Sequence, residues 1–311
     1  MRRKIDMSRF FHVIAFGAVI LLAPGLLFSQ GGGVGIAGGS FSSSMSSSGS
    51  GGSVSSSGNG TQTTFTYNYP PGGTVFVIAG APYSGHMSSQ NVRTLASGAH
   101  LNMQTNDQPM TYRDSMGRTR TDAAMSQAPM MALAAANFKP RIVRLPEISD
   151  PVAGFRYVLD DTNRIAHRIT IQARQNQAQA QARAAFDARS PVAQATPHAM
   201  EDGVTSTSES LGTQSMFGIT VTGQRNTTTY PPGTYQGNDG LLTSVNETWR
   251  SDQYGLMLLS KNSQPDGSES TMTMKDFTAA EPDPTLFMVP AGYQIVDETG
   301  QFTITLPASA K

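Results

Sequence analysis

The sequence predicts a mainly β protein built as a curved antiparallel sheet, a meander of the half-barrel kind. Three observations carry that expectation. Short apolar or β-branched runs recur from about residue 61 onward, separated by turn chemistry at intervals of about 8–12 residues. Within the runs, side chains alternate with a period of two, as at Phe155, Tyr157 and Leu159, or Phe302, Ile304 and Leu306. Only 14% of the 311 residues are charged, whereas glycine, serine and threonine abound, which suits exported β structure with low-complexity connectors better than a charged helical protein.

The N-terminus reads as a targeting segment. Arg2, Arg3, Lys4 and Arg9 precede an apolar run from Phe10 to Phe28, which Pro24-Gly25 interrupts shortly before Ser29. This is the layout of a secretory signal peptide over residues 1–29, leaving an exported chain, periplasmic or extracellular, that starts near Gln30 or Gly31. Left uncleaved, about 19 residues at 1.5 Å each would span roughly 28 Å, close to a bilayer core. Membrane contact is therefore expected only through that segment.

Residues 30–60 are almost all glycine and serine and read as a flexible tether, since they offer little apolar surface to offset ordering entropy. The segment contains Gly33-Val34-Gly35-Ile36-Ala37-Gly38, a literal G-x-G-x-x-G. A dinucleotide fingerprint needs a strand before it, a helix after it and an acid about 20 positions on. Here the next acid is Asp107, so the motif is an accident of composition.

The folded part is expected over 61–306. Tyr69-Pro70-Pro71-Gly72 makes a turn before the strand Thr74 to Ile78, and Tyr112 to Thr119 reads as a hairpin closing at Asp114-Ser115-Met116-Gly117. Turns at Asp150–Gly154 and Asp160–Asn163 frame two further strands. Residues 172–203, rich in glutamine and alanine without an apolar stripe, read as a low-complexity insertion. Phe217, Ile219 and Val221 open the second half as an alternating strand. Strands through Leu241–Trp249, Tyr254–Ser260, Thr271–Phe277, Tyr293–Val296 and Phe302–Leu306 complete it. Residues 1–200 carry 17 basic and 9 acidic groups, against 5 and 13 in residues 201–311. Opposite signs favour one combined domain, weakly, because exposed charges are screened over about 8–10 Å.

Two groups of residues are familiar together. Tyr112-Arg113-Asp114-Ser115-Met116-Gly117-Arg118-Thr119-Arg120 and Ile148-Ser149-Asp150-Pro151-Val152-Ala153-Gly154 form one. The ending Glu281-Pro282-Asp283-Pro284-Thr285-Leu286-Phe287-Met288-Val289-Pro290-Ala291-Gly292-Tyr293 is the other. With them the chain resembles a family of uncharacterised exported bacterial β-rich proteins over roughly Ala81 to Val296, a resemblance that implies no activity. The Phe287, Pro290, Gly292 ending also resembles the closing strand region of periplasmic lipoprotein carriers, which implies a half-barrel closed by helices.

The chemistry-bearing residues point away from an enzyme and from any cofactor. Cysteine is absent, which excludes thiolate metal sites and a cysteine nucleophile. His86, His100, His167 and His198 show no metal-ligand spacing, and no nucleophile elbow is found. Net charge is zero, so nothing favours nucleic acid. The expected function is binding of a hydrophobic small molecule, a lipid, an acyl chain or a hydrophobic peptide on a concave sheet; the alternative is a structural scaffold that contacts an envelope protein. The ligand-binding candidates are Trp249, Met257, Leu259, Met272 and Met274. Tyr254 to Ser260 is apolar on both faces, and methionine adapts to varied apolar partners.

Overall fold

A computed structural model describes residues 27–29, 41–46, 53–58, 62–95, 97–126, 142–175, 198–199 and 203–307. Its regular structure there is strand, apart from a 3-10 turn at Pro284–Phe287. A small antiparallel sheet is formed by β1 (Leu27–Ser29), β2 (Phe41–Ser46), β3 (Ser53–Gly58), β4 (Gln62–Asn68) and the C-terminal β22 (Phe302–Pro307), which pairs with β4. Strand structure thus begins ahead of the expected start at residue 61. The serine strand β3 holds its place by backbone pairing with β4 and by one apolar side chain, Val54, opposite Tyr67 and buried with it.

The main sheet starts with β5 (Gly73–Val77), the long β6 (Tyr83–Thr94), β7 (His100–Asp107), β8 (Thr111–Arg113) and β9 (Thr119–Thr121). Strands β10 (Ala124–Ser126) and β11 (Ile142–Arg144) pair with each other. The main sheet continues through β12 (Glu147–Asp150), β13 (Phe155–Asp160) and β14 (Ile165–Gln175). After β15 (His198–Ala199) come four long hairpin strands, β16 (Thr205–Met216), β17 (Ile219–Tyr230), β18 (Leu242–Ser251) and β19 (Leu256–Ser263). Strand β20 (Ser268–Thr278) returns alongside β6, and β21 (Gln294–Asp297) pairs with β14. The order β15-β16-β17-β18-β19-β20-β6-β8-β9-β12-β13-β14-β21 makes a curved sheet whose end strands do not meet, so it is not a closed barrel.

Three details differ from the sequence reading. The sheet is mixed: β5 and β21 lie parallel to β14, at its two ends, because each returns from the small sheet or the 3-10 segment and not from a tight hairpin. Phe217 is not a strand residue. It forms a two-residue turn with Gly218, at φ 53° and 77°, the left-handed pair that a primed hairpin turn needs. The expected insertion begins later than residue 172, since β14 runs to Gln175; residues 176–197 lie outside those described.

Three buried clusters hold the layers together. The small sheet lays Phe65, Tyr67, Phe302, Ile304 and Leu306 against Leu145, Val158 and Ile169. The other face of β12–β14 buries Ile148, Leu159 and Ala166 beneath Val289 and Tyr293. The third cluster lies under the long hairpins and gathers Ala81, Tyr83, Ile219, Val221, Trp249, Tyr254, Leu256, Leu258 and Met274.

The segments that carry the family resemblance touch one another. Hairpin β8–β9 closes at Asp114–Gly117, where Asp114 accepts from the Arg118 backbone and side chain at 2.8 and 2.6 Å. The Ser115 amide donates to Glu281 at 3.1 Å, Arg120 donates to the Leu286 carbonyl at 3.1 Å, and Arg118 lies over the Phe287 ring. The Glu281–Phe287 stretch is therefore a clasp on this hairpin.

Candidate functional site

Cross-strand register decides where the five ligand-binding candidates go. Leu259 stands opposite Trp249, Met257 opposite Arg250 and Met272 opposite Ser260. Met257 and Met272 thus stand opposite polar residues, and neither is among the side chains packed with Trp249. Trp249 and Met274 are buried in the third cluster, at 9% and 5% exposure, and Leu259 packs against it. The structure brings Trp249, Leu259 and Met274 into one cluster and leaves Met257 and Met272 outside it. The cover over this cluster comes from Ile78, Ala81, Tyr83, Tyr254 and Phe277. The Trp249 ring lies over Gly223, whose missing Cβ would stand 2.6 Å from it. A bulge between Trp249 and Arg250 shifts the register there.

A second constellation, not anticipated from the sequence, sits between the two sheets. Glu147, Arg156, Asp160 and His167 share the face of β12–β14 that meets Tyr67, Tyr69 and Phe302. The Tyr69 hydroxyl donates to Glu147, 3.1 Å from one carboxylate oxygen and 3.2 Å from the other, and Arg156 stacks over the Tyr69 ring at 4.5 Å. Burial raises the Glu147 carboxyl above its ordinary value, partly opposed by Arg156 and then by the Tyr69 hydrogen bond. Part of the residue surface stays accessible while the carboxylate itself is densely surrounded. Burial, with Glu147 adding to it, also raises the Tyr67 phenol well above its usual range. Its hydroxyl has no hydrogen-bond partner among the described residues. His167 stacks on Phe302 and its Nδ1 lies 2.7 Å from Glu298. Asp160 is used locally, accepting from the Thr162 and Asn163 amides at 3.0 and 3.1 Å.

A carboxyl raised by burial resembles a general acid in isolation, but here it is committed to Tyr69 and wedged between packed sheets. Its consequence is for stability. The folded chain holds the Glu147 proton more tightly than the unfolded chain does, so this group's contribution is full below the unfolded pKa and is lost as pH rises through the folded one. Glu147→Gln is expected to remove the loss. In thermal melts between pH 4.5 and 8, the variant's midpoint should gain on the parent as pH rises. Parallel profiles would contradict the assignment.

The third feature is the outer part of the long hairpins, beyond the Trp249 register. There β16, β17, β18, β19, β20 and β6, with β7 paired alongside β6, continue as a single layer, the polar wing. One register crosses it as Glu209, Arg225, Glu247, Lys261, Thr271 and Gln90. Its charges alternate in sign, with Arg225 3.3 Å from Glu209 and 3.1 Å from Glu247. The Trp249 indole N–H and then Arg225 hold the Glu247 carboxyl below the usual carboxylate range. The neighbouring registers point the other way. On the tip side stand Ser208, Asn226, Asn246, Asn262, Ser270 and Asn91; on the core side stand Ser210, Gln224, Thr248, Ser260, Met272 and Ser89. Those registers hold no charged residue, and no side chain in any of the three is buried. Near the tip, Asn91, Asn262, Gln264, Ser268 and Ser270 line a cavity of about 260 Å³, which Val92 and Glu269 also border. Gln264 donates to Asn262 at 2.9 Å.

Comparison with known proteins adds little to this geometry. No family model and no curated protein matches the chain. Among solved structures, it is similar to Mycobacterium tuberculosis lipoprotein LppX at 12% sequence identity, over 64% of this chain and 88% of that one, with a TM-score of 0.20. A score that low carries no inference about ligand or function. Among the described residues, no group of histidines and carboxylates is placed to hold a metal ion, and no helix is long and apolar enough to cross a membrane.

Proposed function

We propose that the protein is a non-catalytic, exported component of the cell envelope that acts as an interaction scaffold, with the polar wing as its contact surface. The observation that carries this reading is the division of labour within the long hairpins. Their inner halves turn apolar side chains into a filled core, whereas their outer halves remain a single layer with neither face buried. A sheet that extends past its core exposes two faces at a cost in ordered residues without matching burial, which suits a surface kept for contact. The basic and then apolar N-terminal segment supports export.

Holding a lipid, an acyl chain or a hydrophobic peptide calls for an open apolar concavity. Trp249, Leu259 and Met274, the natural lining of one, pack instead with Tyr83, Tyr254 and Phe277. The buried Glu147 constellation braces two sheets and plays no part in this reading.

Fractionation of the exporting cells tests the scaffold. The parent protein is expected to sediment with the envelope, and Asn226→Asp with Asn246→Asp, which puts two like charges opposite one another on the wing, to release it with its β circular dichroism unchanged. Equal retention of a folded double variant would overturn the proposal.

A further inference from the structure

The uncharged face of the wing selects its partner by chemistry. The charged ladder Glu209, Arg225, Glu247 and Lys261 lies wholly on the opposite face. Two adjacent registers on the uncharged face cross six strands with amides, hydroxyls and one methionine. Charge returns around them, with Arg250 in the register beyond Thr248, Arg93 opposite Ser268, Asp266 accepting from the Ser268 amide, and Glu269 at the border of the cavity. A polyanion or nucleic acid would need a basic stripe along its length. A lipid or apolar peptide would need an apolar patch. A neutral polymer rich in hydroxyl groups needs side chains that both donate and accept, which is what asparagine, glutamine and serine offer.

We infer that the wing binds a neutral polysaccharide along the Asn226, Asn246, Asn262 and Asn91 register. One sugar residue sits in the cavity that Asn91, Asn262, Gln264 and Ser270 line. This rests on the scaffold reading above. The cavity, about 260 Å³, falls just below the ~300–1,000 Å³ of sites that take a drug-sized ligand, a scale that suits a single ring. The amides of Asn262 and Gln264 already bond to one another, which presets their orientation before any ligand arrives. Met272, on the same face, offers an apolar surface to the C–H side of a ring.

Affinity electrophoresis of the full chain tests this in native gels cast with hydroxyethylcellulose, with dextran, or with the polyanion polygalacturonate. Each migration is read against a gel without polymer. The expected result is retardation by a neutral polymer and none by polygalacturonate. Asn91→Asp with Asn262→Asp should weaken the retardation about tenfold, the loss of one or two neutral hydrogen bonds. Lys261→Ser, on the opposite face, should leave it unchanged. Circular dichroism of each variant establishes that it folds. No retardation by either neutral polymer, equal retardation by polygalacturonate, or an unaffected double variant would overturn the inference. If the wing variant Asn226→Asp with Asn246→Asp is released from the envelope while the parent ignores both neutral polymers, the polysaccharide falls and the scaffold stands. If that variant is retained, the scaffold itself falls.

Discussion

Arg113→Ala is expected to destabilise the fold by about 2–4 kcal/mol, one of the two largest effects of a single substitution. Arg113 is 6% exposed and is not held by a carboxylate in the contacts that fix it. Its Nε and Nη2 donate to the Ala81 carbonyl at 3.0 and 2.8 Å, and Nη2 donates to the Tyr254 carbonyl at 2.8 Å. The guanidinium also lies over the Tyr83 ring at 4.8 Å. One side chain thus ties strand β8 to the connection before β6 and to the turn between β18 and β19. Burial lowers its pKa, yet arginine stays charged at any ordinary pH. Alanine would leave two buried carbonyls without donors, at about 1–3 kcal/mol each, with part of that cost offset because the burial of a charge is relieved. Lysine has a single ammonium and no planar fork, so Arg113→Lys should recover only part of the loss. Denaturant titration gives the number; a midpoint shift worth less than about 0.5 kcal/mol for Arg113→Ala would show that the clamp is dispensable.

Gly223→Ala should be the other costly change, and its sign is informative. In a strand interior alanine is ordinarily favoured over glycine by about 0.5–1 kcal/mol. Here the new Cβ would stand 2.6, 2.7 and 2.8 Å from three atoms of the buried Trp249 ring. Overpacking of that kind costs about 1–3 kcal/mol. The ring cannot swing away freely, because its N–H donates to Glu247 at 2.8 Å. Trp249→Phe shortens the group that meets the new methyl, so Gly223→Ala should cost measurably less in that background. A double-mutant cycle by chemical denaturation reads the coupling directly. An additive cycle, or a stabilising Gly223→Ala, would mean that the ring moves aside without loss.

The sequence made local hairpins legible because their turn residues dictate geometry within a few positions. Asp114 accepts from Arg118, Asp150 from Val152 and Ala153, and Asp160 from Thr162 and Asn163. The Phe217 turn was hidden, since a left-handed phenylalanine is rare and the alternation runs through it. The small sheet was hidden for another reason. Its pairing joins Thr64 to Thr305, a distance in sequence that no local pattern reports, and its serine strands carry no apolar period. Alternation also could not distinguish an open groove from a filled core at Trp249, Leu259 and Met274, because the cover arrives from Ile78, Ala81 and Tyr83. The wing did leave a signal. Asn226 and Asn246 are equally distant from Gln236, and Asn246 and Asn262 from Tyr254. A hairpin folded at Gln236, and a second whose register is moved by the bulge beside Trp249, place the three asparagines side by side.

The central claim is that the apolar side chains are spent on the cores and that partners meet the polar wing. Native mass spectrometry of the protein, released gently from exporting cells, tests this most directly. The protein is expected to carry no lipid or fatty-acid adduct and to take up none when fatty acids are added. A stoichiometric acyl adduct, lost on Met274→Ala or Leu259→Ala in a variant that still folds, would contradict that claim and place an apolar groove where a filled core is described.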